Sequence, residues 1–269
     1  MPDANNRAQL NPVKDDTAIC GLLEKLAVAA GQAIQRIAES ALAVETKPDR
    51  SPVTAADREA ETTILAGLRE HFPGVPVVAE EEFAAGRTMA APGEIFFLVD
   101  PLDGTREFVG GLPDYTVNVA LVRSGEPVIG VVYAPAHGRL WSGIPGCARQ
   151  ASVDDRGDLR AYADMHVGTP RVPMRIVASR SHNTPRTEAF IASHAGGRVV
   201  PVGSSLKFCL IAAGEADLYP RFGRTMEWDT AAGDAVLRAA GGMTRTTDGR
   251  PLVYGKAPTY ENPDFIAGT

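Results

Sequence analysis

The residues of this chain with the clearest capacity for chemistry are two carboxylates, three positions apart, where an apolar run stops. Phe96-Phe97-Leu98-Val99 reads as a buried strand and leads straight into Asp100-Pro101-Leu102-Asp103-Gly104-Thr105. Pro101 stiffens the link, and Gly104 lets the backbone approach a ligand closely. A turn of this make-up can aim Asp100, the Leu102 carbonyl and Asp103 at one point, which suits a hard cation that prefers oxygen. The same spacing also suits an Asp-rich turn that only bonds its own backbone.

Three other stretches carry acids in comparable settings. Glu80-Glu81-Glu82 follows apolar Val77-Val78-Ala79, and three adjacent carboxylates repel unless water or a cation neutralises them. Glu227-Trp228-Asp229-Thr230-Ala231-Ala232-Gly233 opens a helix, with Asp229 as a candidate N-cap and a start that also favours phosphate. Thr54-Ala55-Ala56-Asp57 has the spacing of a capping box, with Asp in place of Glu or Gln. It could equally set Asp57 beside a catalytic threonine, and the two roles are compatible. Phosphate-loop, serine-elbow and His-Glu-x-x-His motifs are absent. Of the histidines at 71, 137, 166, 182 and 194, only His182 is expected near a site.

These residues need a scaffold, and the chain is long enough to provide one. Its 269 residues suit one large domain or two small ones sharing an interface. A composition 44% hydrophobic and 22% charged is that of a globular enzyme. The net charge of −6 argues against nonspecific nucleic-acid binding, but allows a phosphorylated small molecule where bound cations reverse the local field. Cys20, Cys147 and Cys209 are odd in number and far apart, which suits a reducing compartment. There is no basic-then-apolar start, and no apolar run near the roughly 20 residues of a membrane helix, so a cytoplasmic protein without a membrane span is expected.

Periodicity predicts helices over 19–43 and 54–71, separated by a break at 47–52. Strands are expected over 75–78, 95–99, 116–122, 128–133 and 140–142, with a turn at 133–138. Residues 146–173 are weakly patterned and are taken to hold the boundary between halves. Beyond them come strand 175–179, helix 185–193, strand 198–202, helix 205–213, strand 216–219 and helix 230–240, the last closed by Gly241-Gly242. The expected organisation is a flexible N-terminus (1–16), an α+β half carrying the acidic motifs (17–165) and an α/β half completing the site (166–269).

Glu80-Glu81, Asp100 to Thr105 and Trp228 to Gly233 occur in the order of the inositol monophosphatase superfamily, which the chain resembles from Lys47 to its last strand region. Within it the chain looks most like the CysQ-type 3'(2'),5'-bisphosphate nucleotidases. The supporting stretches are 51–57, 100–108, 130–135, 203–209 and 219–223. Arg106 departs from the lysine common in that subfamily; it keeps the charge and adds the option of a bidentate phosphate contact.

The resemblance implies an α+β and α/β architecture, a layered αβαβα sandwich. It implies Mg²⁺, two or three ions per site, on Glu80, Asp100, the Leu102 carbonyl, Asp103 and Asp229, and sensitivity to lithium. It implies that Gly104 and Thr105 meet the scissile phosphate, with Asp57 behind Thr105. Water activated by metal would be positioned and deprotonated by Glu80 and by Thr105 with Asp57, without a covalent nucleophile. Gly203, Ser204, Ser205 and Lys207, with Arg221 nearby, are expected in the nucleotide pocket; helix capping and surface charge are their plainer alternatives. The expected reaction converts adenosine 3',5'-bisphosphate to AMP and phosphate, a step of sulfur metabolism. An inositol or fructose-1,6-bisphosphate phosphatase and a non-catalytic nucleotide-binding regulator are the alternatives. Assembly as a homodimer is left open.

Overall fold

A computed structural model describes residues 11, 15–38, 44–47, 52–87, 91–180, 183–194 and 196–269, and the account below concerns those residues. Helices α1 (Asp16–Ala38) and α2 (Ala55–His71) flank a short antiparallel pair, β1 (Val44–Thr46) and β2 (Pro52–Thr54). Then follow β3 (Val77–Ala79), α3 (Glu80–Ala84), β4 (Ile95–Asp103), α4 (Thr105–Val109), β5 (Thr116–Arg123), β6 (Glu126–Ala134), β7 (Arg139–Ile144), β8 (Cys147–Val153) and β9 (Leu159–Asp164). The remainder is β10 (Arg175–Ser179), α5 (Pro185–Ser193), β11 (Arg198–Val202), α6 (Leu206–Ala212), β12 (Leu218–Arg221), α7 (Ala231–Ala239), β13 (Met243–Thr246) and β14 (Phe265–Gly268).

Strands β3 to β9 form a seven-stranded sheet in sequence order, parallel only between β3 and β4. The second sheet has the order β11-β10-β12-β14-β13, with β11, β10 and β12 parallel. Alternation along the central strands sorts their side chains into two cores. Phe97, Val99, Val119 and Leu121 join the apolar faces of α1 and α2. Phe96, Leu98, Ala120 and Val122 face the layer of α6 and α7, which in turn meets Tyr219 and Phe265 of the second sheet. Helix α5 packs on β12. The layering is therefore αβαβα.

Several elements differ from the sequence reading. Asp16 starts α1 three residues earlier than expected, while residues 39–43 and 48–51 lie outside those described, as do 1–10 and 12–14 of the N-terminal stretch. By length and composition α1 could cross a membrane, contrary to the sequence reading. Isolated polar residues such as Glu24 and Gln32 break its apolar run, but not its mean hydropathy. Here its apolar side is buried, Ile19, Leu23, Ala27 and Ile34 being at most 0% exposed. The weakly patterned stretch 146–173 contains β8 and β9, which extend the seven-stranded sheet. The signal of β9 is faint because it is an edge strand whose side chains stay largely in water, and that of β8 because its polar side chains are only partly buried.

Helix α7 lies directly on β6 and β7, at positions that have no side chain. A Cβ on Gly130 would stand 2.2 Å from the Ala232 carbonyl oxygen, and one on Gly143 would stand 2.8 Å from the Val236 Cα. Backbone cannot yield as a flexible side chain can, so Gly130→Ala is expected to destabilise the fold by about 2–3 kcal/mol. Urea unfolding followed by circular dichroism measures this; an unchanged midpoint would show that α7 can shift without loss.

Candidate active site

Asp100 to Asp103 form the last four residues of β4 rather than a turn beyond its end, and Gly104 and Thr105 lead into α4. Asp100 pairs with Asn118 and Asp103 with Thr116, so Pro101 and Leu102 oppose the single residue Val117. This is a β-bulge, and it changes the parity of the strand. In a regular strand, residues three apart point to opposite faces. The extra residue returns Asp100 and Asp103 to one face and turns Leu102 into the core behind them. Pro101 tolerates the position because a bulge releases a ladder donor. Asp100 Oδ1 accepts the Leu102 amide at 3.0 Å, which fixes the carboxylate.

Gly104 adopts φ 94°, a left-handed conformation that glycine reaches without strain, and opens α4. Its hydrogen faces the chain itself: a Cβ there would stand 2.9 Å from the Asp114 carbonyl oxygen. Thr105 Oγ1 donates to Asp57 Oδ1 at 3.0 Å, with the Leu102 carbonyl at 3.2 Å as a second acceptor. Asp57 Oδ2 meanwhile takes the amide of Thr54 at 2.7 Å and its hydroxyl at 2.8 Å. One buried carboxylate thus caps α2 and orients Thr105.

Glu80 starts α3, just beyond β3. Lys47 Nζ binds Glu80 at 2.7 Å and Glu81 at 2.5 Å, while Arg69 holds both oxygens of Glu82 at 2.9 Å. Glu80 and Glu81 thus share one lysine, while Glu82 has an arginine of its own. Asp229 precedes α7, but Thr230 holds the N-cap position; Asp229 Oδ2 accepts the Met226 amide at 2.9 Å instead.

Asp100, Asp103 and Asp229 are pushed toward protonation, in each case first by burial. For Asp100 the charges of Glu80, Asp103 and Asp229 add to this. Asp103 rises to about 6, with Lys207 opposing and Glu80 and Glu107 adding. Asp229 rises through Asp103 and Glu80. Four acids from β3–α3, β4 and the approach to α7 therefore feel each other's charge. Among the described residues no three His, Cys, Asp or Glu side chains already form a closed metal cage, since Glu80 is turned to Lys47. The donor chemistry nonetheless fits a hard divalent cation: crowded carboxylate oxygens whose mutual repulsion such an ion would relieve.

The acids line a cavity of about 600 Å³. Glu80 lies just after β3, Ser179 ends β10, Gly203 follows β11 and Arg221 ends β12, so the cavity opens at the carboxyl ends of parallel strands. Lys207 and Arg221 are buried rather than surface charges. Burial brings Lys207 down to about 8, against the pull of Asp103. Its ammonium donates to the carbonyls of Val202 and Ser204. Ser204 holds φ 46°, unusual for a residue with a side chain, and its buried hydroxyl has no protein partner. Ser205 sits at the N-cap position of α6 without a side-chain cap bond; it donates to Asn118 at 2.6 Å and lies 2.8 Å from Thr116. The expected site residues Asp57, Glu80, Asp100, Leu102, Asp103, Gly104, Thr105, Gly203, Ser204, Lys207, Arg221 and Asp229 are thus brought together in or directly behind one cavity. His182 lies outside the described residues. The sequence reading missed Lys47 as the partner of Glu80, and Phe83 and Trp228, whose rings meet at 5.0 Å in the cavity wall. Nothing in their local patterning signals these roles.

This sequence and this fold have counterparts. The model of the inositol monophosphatase family matches residues 16–268, and the chain belongs to that family. The 3'(2'),5'-bisphosphate nucleotidase CysQ of Escherichia coli (strain K12) is 41% identical over 243 residues, covering 90% of this chain and 96% of that protein. The crystal structure of CysQ from Bacteroides thetaiotaomicron matches with a TM-score of 0.78 and 37% identity, over 94% of this chain and 97% of that one. An inositol monophosphatase (IMPase) of Thermotoga maritima matches with a TM-score of 0.75 and 26% identity, over 93% and 92%.

Asp103, Glu61 and Glu81 hold protons in the folded chain to about pH 6, 7 and 7, higher than in an unfolded chain. Folding in this range takes up protons, so metal-free stability is expected to rise as pH falls from about 7.5 to about 5. Mg²⁺ should raise Tm more at the higher pH, where the carboxylates are ionised. Thermal melts at the two pH values, with EDTA or Mg²⁺, check both signs.

Proposed function

We propose that the chain is a Mg²⁺-dependent 3'(2'),5'-bisphosphate nucleotidase that releases phosphate from adenosine 3',5'-bisphosphate to leave AMP. The observation that carries this reading is the meeting of Glu80, Asp100, Asp103 and Asp229 opposite the buried cations Lys207 and Arg221, across a cavity that suits a nucleotide in size. The relatives named as CysQ nucleotidases support the substrate. The acids suit the metal and the cations suit a second phosphate.

Glu80, Asp100, the Leu102 carbonyl, Asp103 and Asp229 would hold Mg²⁺, which when bound supplies positive charge for water ionisation and for the leaving oxygen. Thr105 gives its hydroxyl proton to Asp57 in a hydrogen bond of 3.0 Å, so its oxygen lone pairs face away as acceptors for the attacking water. Asp57 is buried and pushed toward protonation by that burial, which favours it as a base behind Thr105. Glu80 supplies the second acceptor for that water. The amides of Gly104 and Thr105 meet the scissile phosphate. Water adds to phosphorus as the bond to the 3' oxygen breaks, and the proton lost by water balances the one gained by the leaving alkoxide. The unpaired hydroxyl of Ser204, with Lys207 and Arg221, receives the rest of the nucleotide. In the same reading, residues 17–165 and 166–269 are two halves closing on the site, and the protein is cytoplasmic, as its three unpaired cysteines favour.

A panel of phosphomonoesters with Mg²⁺, run with and without lithium, tests this. Adenosine 3',5'-bisphosphate is expected to be the preferred substrate, with lithium inhibiting. A preference for inositol 1-phosphate or fructose 1,6-bisphosphate would replace the nucleotide reading, and nucleotide binding without phosphate release would make the protein a regulator. Asp103→Asn is expected to abolish turnover with the circular dichroism spectrum unchanged; near-normal activity would refute the ligand assignment.

A further inference from the structure

Asp114 lies in the link between α4 and β5, outside the cavity wall, yet it touches both sides of the site. Its carbonyl oxygen is the atom that a Cβ on Gly104 would meet at 2.9 Å and a Cβ on Gly203 at 2.7 Å. Two loops from different sheets therefore close on one backbone atom, and at each contact only a glycine leaves room. The carboxylate continues the link. Its Oδ2 accepts the Gly203 amide at 3.2 Å and an Arg180 guanidinium nitrogen at 2.6 Å, while His137 Nε2 stands 3.2 Å from Oδ1. Asp114 is buried, so removing its side chain would leave the Gly203 amide without this acceptor.

We propose that Asp114 is a positioning residue that sets the substrate loop at 203–205 against the metal loop at 100–105. The distance between them governs whether one phosphate can reach the acids while the rest of the substrate reaches Ser204 and Lys207. Ser204 holds a left-handed φ of 46°, a conformation that a fixed neighbour must maintain. Asp114 fixes that neighbour by binding the Gly203 amide. The ion pair with Arg180 keeps the carboxylate ionised, and Gly203 and His137 act in the same direction against the effect of burial. Asp114 does not itself line the cavity and reaches it through the Gly203 amide and through its charge on Lys207, so its influence falls on substrate placement rather than on bond breaking.

This inference rests on the reading of 203–205 as a substrate wall, and a two-substrate comparison separates the two. Wild type, Asp114→Ala and Asp114→Asn are assayed on adenosine 3',5'-bisphosphate and on phenyl phosphate, which has no second group to reach the far wall. Asp114→Ala is expected to raise KM for the bisphosphate about tenfold, the loss of one hydrogen bond to a charged group, with kcat, the Mg²⁺ requirement and phenyl phosphate hydrolysis unchanged. Asp114→Asn keeps an acceptor for Gly203 and should restore most of that KM. Hydrogen exchange of the peptide spanning 203–207 should be faster in Asp114→Ala, with no substrate present. Equal losses on both substrates, or an unchanged KM and unchanged exchange, would overturn the proposal. If wild type instead prefers a sugar phosphate, the nucleotide reading fails and the exchange result still decides the role of Asp114. Should Asp114→Ala not fold, Arg180→Met removes the ion pair, with a long 3.5 Å contact to the Pro201 carbonyl, and leaves Asp114 on the Gly203 amide. It is then expected to raise KM about threefold, and an unchanged KM counts against the proposal.

Discussion

Mutual repulsion among buried carboxylates is the constraint around which this molecule is arranged. Burial raises the affinity of Asp100, Asp103 and Asp229 for protons, and the negative charges around each of them, Glu80 included, raise it further. No packing of apolar side chains rewards such a cluster, so the scaffold must hold it by force of geometry. The bulge in β4 turns two acids to one face, Asn118 and Thr116 anchor Ser205 beneath them, and α7 seats Asp229 from the opposite layer. The close approach of α7 to Gly130 and Gly143 gives that last acid a fixed support. Stability is thereby exchanged for a site that welcomes a cation.

Lys47 shows the same electrostatics on the chain's own terms. Burial would strip its proton, yet Glu80 and Glu81 outweigh that and hold it charged. On the far wall Lys207 lacks such close acids and yields to burial. The two lysines bracket the cavity with unequal basicity, one locked to carboxylates and one facing backbone carbonyls and a tyrosine ring. Crowded acids and buried cations thus share one cavity, with Lys207 acting on Asp103 and Arg221 on Asp229.

Much of this was legible in the chain. Helix α2, strand β10, helix α5 and strand β11 fall within a residue or two of the expected bounds, α2 because it buries one apolar face and β10 because it is buried along most of its length, whereas α5 and β11 stay largely exposed and are marked off by the proline and glycine breaks around them. The acids were legible because several acidic motifs occur together in one order along the chain, although the spacing at 100–103 alone also suits a turn that bonds its own backbone. The bulge was not, since it depends on what lies opposite, and Val117 gives no sign that two residues face it. Strand β9 was hidden because an edge strand need not alternate when much of it stays in water, and β8, paired between β7 and β9, is only partly buried and rich in polar residues. Asp229 looked like an N-cap, but the cap position fell to Thr230 once the preceding turn folded back on Met226. Lys47 and Asp114 find partners far along the chain, and local pattern carries no trace of such contacts.

The order in which the acids occur along the chain has a consequence for biosynthesis. All strands of the seven-stranded sheet are complete by Asp164, and Glu80, Asp100 and Asp103 are already in place on it. Asp229 and the loop at 203–205 are translated later, with the second sheet. A nascent chain folded to that point would carry Asp100 and Asp103 without Lys207, and Glu80 paired with Lys47, before the second sheet and the fourth carboxylate arrive. The enzyme cannot be assembled half-active: synthesis must deliver nearly the whole chain before the site closes.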